Sequence, residues 1–360
     1  MSERKKVLVT GSLGYIGTVL TKYLADRGFD CQGYDIGFFK ECLLYEYEDT
    51  PTIYGDMRDF DKEVLDGVDA VVHLAAISND PLENLSADEV YEPTRIYAAA
   101  LTHECKERGI RLVFASTSSI FGLSQGSETL DEEAPKNPQT PYSENKWLIE
   151  QNMEMTTDDR FAPIMLRFAT VFGSSPRLRL CVFLNMFVGM AFTSQKIVLN
   201  SDGAAWRPNI HIQDVCESIK RAIEYDGTLR ETLALNVGTS ELNYTVRQVA
   251  ETIAQEVPGC ELEFRGSCGS KIENNALVYD KKIHDRVDTR TYRLSFDKIE
   301  KEFPGFKCEW DLKKGILEML DCFDNIGLTT EMFENVRFYR LRWLEELRKQ
   351  NRITDDLRMV

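Results

Sequence analysis

The segment Tyr142-Ser-Glu-Asn-Lys146 holds the residue types and spacing that most directly suggest chemistry. A spacing of four places phenol and ammonium on one helix face, and Pro138 and Pro141 just upstream suit a helix start. Of the 14 tyrosines, only Tyr142 has a lysine four residues on. A free phenol ionises at about pH 10 and is a poor base at neutrality. A neighbouring ammonium favours the phenolate and brings it toward the working range. Such a pair can take the proton of a substrate hydroxyl while a hydride leaves the same carbon. That reaction needs a hydride acceptor and a group to orient the hydroxyl. Ser116-Thr-Ser-Ser119 follows the strand-like run Leu112–Ala115, and Thr117 is the candidate for the orienting hydroxyl.

The acceptor is suggested near the N-terminus. Thr10-Gly-Ser-Leu-Gly-Tyr-Ile-Gly17 lies between an apolar strand pattern and a helical one. Gly11, Gly14 and Gly17 would let the backbone turn tightly and approach a pyrophosphate at the helix N-terminus, with Leu13, Tyr15 and Ile16 completing the turn. Asp35 ends the second strand-like run. A carboxylate there accepts bonds from both ribose hydroxyls and repels a 2′-phosphate, which predicts NAD rather than NADP. Asp56 of Gly55-Asp-Met57 is placed to meet the adenine amino group, and Leu74, Ala75 and Ala76 are small enough to line a cofactor. His73, just before them, reads as a packed strand residue.

The elements that must position these groups follow from hydrophobic periodicity. Val7–Val9, Cys31–Tyr34, Ala70–Leu74, Leu112–Ala115 and Ile164–Phe168 read as buried strands. Ile16–Arg27, Phe60–Leu65, Ala87–Arg108 and Tyr142–Met155 read as helices or helical turns between them. The alternation predicts an α/β fold, a Rossmann-type doubly wound parallel sheet with a smaller C-terminal substrate-binding domain. The expected division is a dinucleotide-binding domain over 1–175, with segments near 205–240 returning to it, a substrate domain over 176–325 and a helical tail over 326–360. Within the later part, Cys181–Phe192 reads as a buried helix, Ile197–Leu199 and Leu233–Val237 as strands, and a helix starts at Thr245. Residues 259–288 look irregular and Met332–Gln350 looks like an exposed amphipathic helix.

Composition bounds the function. The 360 residues carry 43 Lys and Arg against 59 Asp and Glu, a net charge of −16, which argues against nucleic acid as a partner. The most apolar run, Cys181–Phe192, is broken by Asn185 and too short to span a membrane. Met1-Ser-Glu-Arg-Lys-Lys runs straight into Val7-Leu-Val-Thr and leaves no room for a signal peptide, so a cytoplasmic protein is expected. Nine cysteines without a C-x-x-C pair and four scattered histidines favour neither a disulfide scaffold nor a metal site.

Taken in order, Gly11-x-x-Gly14-x-x-Gly17, Asp35, Leu74-Ala-Ala76, Ser116-Thr117 and Tyr142-x-x-x-Lys146 resemble the extended short-chain dehydrogenase/reductases, and among them the nucleotide-sugar epimerase/dehydratase branch. The resemblance spans roughly residues 5–320. It implies Tyr142, Lys146 and Thr117 as catalytic residues, NAD as cofactor, a nucleotide-diphosphate sugar as ligand and a homodimer built on Ala87–Arg108 and Tyr142–Met155. It also implies that Arg207, in Trp206-Arg-Pro-Asn-Ile-His, and Asn185 meet the diphosphate. Arg177, Arg286 and Arg290 are further anion candidates, and the resemblance implies that Ser78, Ser118 and Ser119 line the sugar pocket. Two departures matter. Ser118-Ser119 stands where dehydrating members carry Asp-Glu, which weakens a 4,6-dehydratase reading. Thr94 stands for the usual Asn, and Pro93 beside it should interrupt the helix. An NAD-dependent epimerase is therefore expected, with a nucleotide-sugar dehydrogenase or 4-ketoreductase as the alternative on the same scaffold and an NAD-sensing binding protein as the reading from another class.

Overall fold

The computed structural model describes residues 4–78, 87–124, 128–265, 270–273, 276–279 and 290–360. Its centre is a seven-stranded parallel sheet. In chain order the strands of the protein are β1 (Lys6–Thr10), β2 (Asp30–Asp35), β3 (Thr52–Tyr54), β4 (Ala70–His73), β5 (Arg111–Thr117), β6 (Thr129–Leu130), β7 (Ile164–Phe168), β8 (Thr170–Phe172), β9 (Lys196–Leu199), β10 (Trp206–His211), β11 (Leu233–Val237) and β12 (Asn243–Thr245), followed by β13 (Glu261–Phe264). The large sheet runs β11-β7-β5-β4-β1-β2-β3. Chain direction across the sheet reverses between β1 and β4, and a crevice opens at that switch point beyond the strand C-termini. Register places Thr10 beside Tyr34 on one side and His73 on the other.

The helices flanking the sheet are α1 (Tyr15–Ala25), α2 (Ala87–Arg108), α3 (Pro141–Thr156) and α5 (Ile212–Glu224). The start of α3 is set locally: Thr140 caps the Ser143 N–H, the Ser143 hydroxyl returns a bond to the cap, and Pro141 occupies the first turn. The expected helix near 60–65 is two short 3-10 turns, Met57–Asp59 and Lys62–Leu65, each capped by an aspartate. The interruption expected at Pro93 is absent: α2 continues across it. A single missing N–H there costs one bond, and packing of Val90, Ala98, Leu101 and Cys105 into the interior offsets it.

A second apolar core gathers around α4 (Phe183–Ser194), α6 (Val246–Glu256) and a later helix, Leu312–Asn325. A small three-stranded sheet, β12-β10-β8, stands between the two cores, while β11 joins the large sheet and α5 packs on α1. Two expectations for this half are corrected. Residues 261–264 are not irregular: Glu-Leu-Glu-Phe alternates with period two and pairs in parallel with β9. Likewise, Ser270–Glu273 pairs antiparallel with Ala276–Tyr279. Nor is 332–350 one exposed helix. Chain-terminal structure consists of Thr330–Glu334, a 3-10 turn at Val336–Phe338 capped by Asn335, and Arg340–Lys349. Trp343, Leu344 and Leu347 share one face of the last helix and are buried against Phe38, Cys42, Val90 and Tyr91.

Candidate active site

The C-terminal strand ends open into one cleft of about 890 Å³ that reaches from the glycine turn to β10. Gly11 sits at φ +76°, and a side-chain carbon there would lie 2.8 Å from the Ala75 nitrogen. One at Gly17 would lie 2.2 Å from the Gly11 carbonyl. Both positions therefore require glycine for steric reasons, which brings the turn backbone to the cleft surface. Gly14 caps α1 without any side-chain bond, so the helix N-terminus faces the cleft with its amide charge uncovered. The Asp35 carboxylate accepts from the Leu13 N–H at 3.0 Å and the Gly37 N–H at 2.7 Å and lines the cleft. Burial raises its pKa, against the pull of those two amides. This donor set suits a dinucleotide: bare amides for a pyrophosphate and an oriented carboxylate for a ribose.

Gly11, Gly14, Tyr15, Ile16, Gly17, Asp35, Asp56, Met57, Leu74, Ala75 and Ala76 all line the cleft, whereas Leu13 contributes through its bond to Asp35. The Asp56 carboxylate is already clasped by the Arg58 guanidinium, so an adenine would meet an ion pair rather than a free carboxylate. His73 is fully buried, bonded at Nδ1 to Thr10 Oγ1 at 2.8 Å and stacked on Phe114. Burial pushes its pKa down to about 3, with Lys146 adding to the fall, so it stays neutral.

Deeper in the cleft stand Tyr142, Lys146, Thr117, Ser118 and Ser119. Lys146 is buried; its Nζ donates to the Ala115 carbonyl at 2.7 Å and lies 4.5 Å from the Phe114 ring centre. Burial pulls its pKa down to about 7, and Glu150 one turn on opposes that shift. The Tyr142 ring packs against Tyr91, 6.4 Å between centres and tilted by 51°. Thr117 ends β5 and its oxygen accepts from the Ser119 N–H at 3.2 Å, with the Ser119 hydroxyl 3.0 Å away. Ser118 is turned inward, 3.2 Å from the Tyr292 hydroxyl. Beneath this group, Glu150 is clamped by Arg167 through contacts of 2.7 to 3.1 Å and by the Ser116 hydroxyl. That wholly buried ion pair holds α3 to β5 and β7.

The far end is cationic. Arg207 on β10 and Arg290 both line the cleft, the Arg207 guanidinium bonding the Trp206 and Arg290 carbonyls. Val182 and Phe183, at the N-terminus of α4, line it as well. Asn185 does not: it is fully buried half a turn further along, donating to the Tyr15 hydroxyl at 3.2 Å and to the Arg179 carbonyl at 3.1 Å. Arg177 is also corrected. Its guanidinium is enclosed by the Phe39 and Lys40 carbonyls and the Tyr47 hydroxyl, away from the cleft. Both errors are of phase: two residues on in the same run, Arg179 faces the cleft, donating to Ser78 Oγ at 2.8 Å and Ser78 O at 2.6 Å. Ser78 therefore lines the cleft as a partner of Arg179. Arg286 lies outside the described residues. Thr94 lines the cleft and accepts from Asn145 Nδ2 at 3.1 Å, tying α2 to α3.

Sequence reasoning missed Arg58, Arg179, Tyr292 and Arg340. An Arg-x-Arg run and a Tyr following Arg290 were the available signals for two of them. Arg340, in the last helix, carried none. Among the described residues no group of acidic, histidine or cysteine side chains could hold a metal, and no helix is long and apolar enough to cross a membrane. Eight cysteines there are free thiols.

Known proteins resemble this chain in sequence and in fold. A Bacillus subtilis protein described as an uncharacterized UDP-glucose epimerase is 28% identical over 250 residues, covering 66% of this chain and 77% of the relative. A putative UDP-glucose 4-epimerase of Methanocaldococcus jannaschii is 25% identical over 336 residues, 90% of this chain and 100% of the relative. In fold, the UDP-glucuronic acid 4-epimerase of Bacillus cereus, solved with UDP-glucuronic acid and NAD, superposes with a TM-score of 0.72 at 19% identity, covering 89% of this chain and 99% of that one. MoeE5, solved with the same two ligands, superposes with a TM-score of 0.71 at 23% identity, covering 90% of this chain and 100% of that one. The family model for the NAD-dependent epimerases and dehydratases matches residues 7–238. With the glycine turn and Tyr142-x-x-x-Lys146 in that span, the chain belongs to the NAD-dependent epimerase/dehydratase family and is an enzyme of the extended short-chain dehydrogenase/reductase type.

Proposed function

We propose that this enzyme epimerises a nucleotide-diphosphate sugar through a transient keto sugar. The observation that carries the reading is the sharing of one cleft by the dinucleotide cradle, the Tyr142–Lys146–Thr117 group and the cationic end at Arg207 and Arg290. Bound NAD supplies the hydride acceptor and donor at the reacting carbon. Tyr142 takes the proton of the sugar hydroxyl on that carbon and returns it after the keto sugar has turned its other face. Lys146 favours the phenolate while anchored to the Ala115 carbonyl, and Thr117 and Ser119 hold the oxygen as hydroxyl and then as carbonyl. Arg207, Arg290 and the N-terminal amides of α4 hold the diphosphate, which keeps the nucleotide in place while the sugar turns. The named relatives support UDP-linked hexoses as the first substrates to examine. Ser118 and Ser119, in place of a carboxyl pair, supply no acid to expel a hydroxyl, which favours epimerisation over dehydration.

The test is proton NMR of the purified protein with UDP-, GDP-, CDP- and dTDP-sugars, with and without added NAD. A new isomer without accumulating NADH is the expected result, and Tyr142→Phe should slow its formation by about 10²- to 10⁴-fold with NAD content unchanged. A keto product matched by NADH would replace this reading with a dehydrogenase. We also propose a homodimer through α2 and α3, whose outer face presents Ile96 at 65% exposure and Met155 at 84%.

A further inference from the structure

We propose that residues 336–360 form a working wall of the cofactor cleft and deliver Arg340 as a cationic clamp on a phosphate group bound there. This wall lies beyond the family match, which ends at residue 238. It is built into the fold at several points. Trp343 Nε1 donates to the Phe38 carbonyl at 2.7 Å, in the loop that follows Asp35. Arg58, already paired with Asp56, donates from Nη1 to the Asp356 carbonyl at 2.6 Å and from Nη2, which Asp56 shares, to the Leu357 carbonyl at 2.7 Å. Arg358 pairs with Asp59, and Arg352 with Glu41. Asp356, Leu357 and Arg340 themselves line the cleft together with Asp35, Asp56 and Met57.

Arg340 is the unbalanced part of this wall. Its side chain lies in the cleft lining at 5% exposure. One nitrogen, Nη2, donates to the Arg177 carbonyl at 2.7 Å, and the guanidinium carbon lies 4.3 Å from the Phe39 ring centre. The other terminal nitrogen, Nη1, is buried without a hydrogen-bond partner. No carboxylate among the described residues pairs with it, and the ionisable groups acting most strongly on it are Arg179, Arg177, Cys42 and Cys181. A buried cation is costly unless paired. Burial pulls the Arg340 pKa down to about 10, and Arg179 adds to the fall. The same field reaches Cys181: burial pushes this thiol up, but the Arg179 guanidinium reverses that and leaves it below its ordinary value. A buried guanidinium with an open nitrogen beside a second guanidinium, in a cleft lined by bare helix amides, fits a phosphate group. The dinucleotide's pyrophosphate is one source of that group and the sugar nucleotide's diphosphate is the other. This inference rests on the cleft and not on which sugar is turned over.

The test uses full-length protein carrying Arg340→Met, which keeps the aliphatic stem on Phe39 and removes the charge, and Arg340→Lys, which restores a charge. Two quantities are read: the rate at which bound NAD exchanges for isotopically labelled NAD, and the affinity for UDP by titration calorimetry. Amide hydrogen exchange over 336–360 monitors docking of the wall. Loss of one charge-assisted bond predicts NAD exchange faster by roughly ten- to a hundredfold in the methionine variant, partly restored by lysine, with the wall still protected. A fall confined to UDP affinity would assign the clamp to the sugar nucleotide. Unchanged values for both ligands would overturn the proposal, and so would faster exchange that appears only together with loss of amide protection. Either result stands apart from the epimerase reading, which depends on product formation.

Discussion

Lys146 is held where the proposed mechanism needs a cation and folding resists one, and the cost of that placement can be measured. Its side chain is buried, and its pKa falls from the ordinary 10.5 to about 7. The unfolded chain holds the proton up to about pH 10.5, whereas the folded chain releases it above about 7. Stability from the neutral form is therefore fully present above 10.5 and is lost as the pH falls to 7. At about 1.4 kcal/mol per pH unit, the loss approaches 5 kcal/mol at neutrality. Lys146→Met keeps the apolar stem and removes the proton equilibrium, along with the bond to the Ala115 carbonyl, worth about 1 kcal/mol. The expected outcome is a variant that is inactive yet more stable than the parent near pH 7. Its advantage should shrink by several kcal/mol toward pH 10. Urea unfolding of cofactor-free parent and variant at steps from pH 6 to 10 measures this, because steric effects of the substitution cancel in the pH dependence. A stability difference that stays constant over this range would refute the reasoning.

Further outcomes follow from the same geometry. Gly17→Ala places a carbon 2.2 Å from the Gly11 carbonyl and should leave purified protein without NAD, read by absorbance and chromatography after acid release. Glu150→Ala strips the partner from buried Arg167 and should cost about 3–5 kcal/mol in chemical denaturation. It should also lower the Lys146 pKa further, since Glu150 is the group that raises it. Ile96→Glu on the outer face of α2 should yield a monomer by light scattering, with the thermal transition otherwise retained.

The alternation of short apolar runs with helical pattern was legible because each central strand is buried on both faces and reads as a continuous hydrophobic run. Thus Val7–Val9, Ala70–Leu74 and Ile164–Phe168 fall on β1, β4 and β7 with small shifts at their ends. The glycine turn was legible because its constraint is local: each glycine is demanded by backbone a few residues away or across one strand pair. Tyr142 and Lys146 were legible because one helical turn relates them. Where structure departed from expectation, the deciding contact was distant. Asn185 and Arg177 carry suitable chemistry, but helix phase and loop path turned them inward and brought Arg179 and the α4 N-terminus to the cleft instead.

The terminal segment marks that boundary most clearly. Its charged composition predicted an exposed helix, and composition does not say which surface awaits Trp343, Leu344 and Leu347. Only the assembled fold sets the loop after Asp35 beneath them and so carries Arg340 into the cleft, with more than 300 residues separating Trp343 from its partner Phe38. The sequence alone determined the sheet, the glycine turn and the one-turn pairing of Tyr142 and Lys146 on a helix, because short-range periodicity and sterics specify them. Tertiary structure decided which cations line the cleft and what closes its end at Asp35 and Asp56, because burial and pairing across the chain depend on long-range packing that no local spacing encodes.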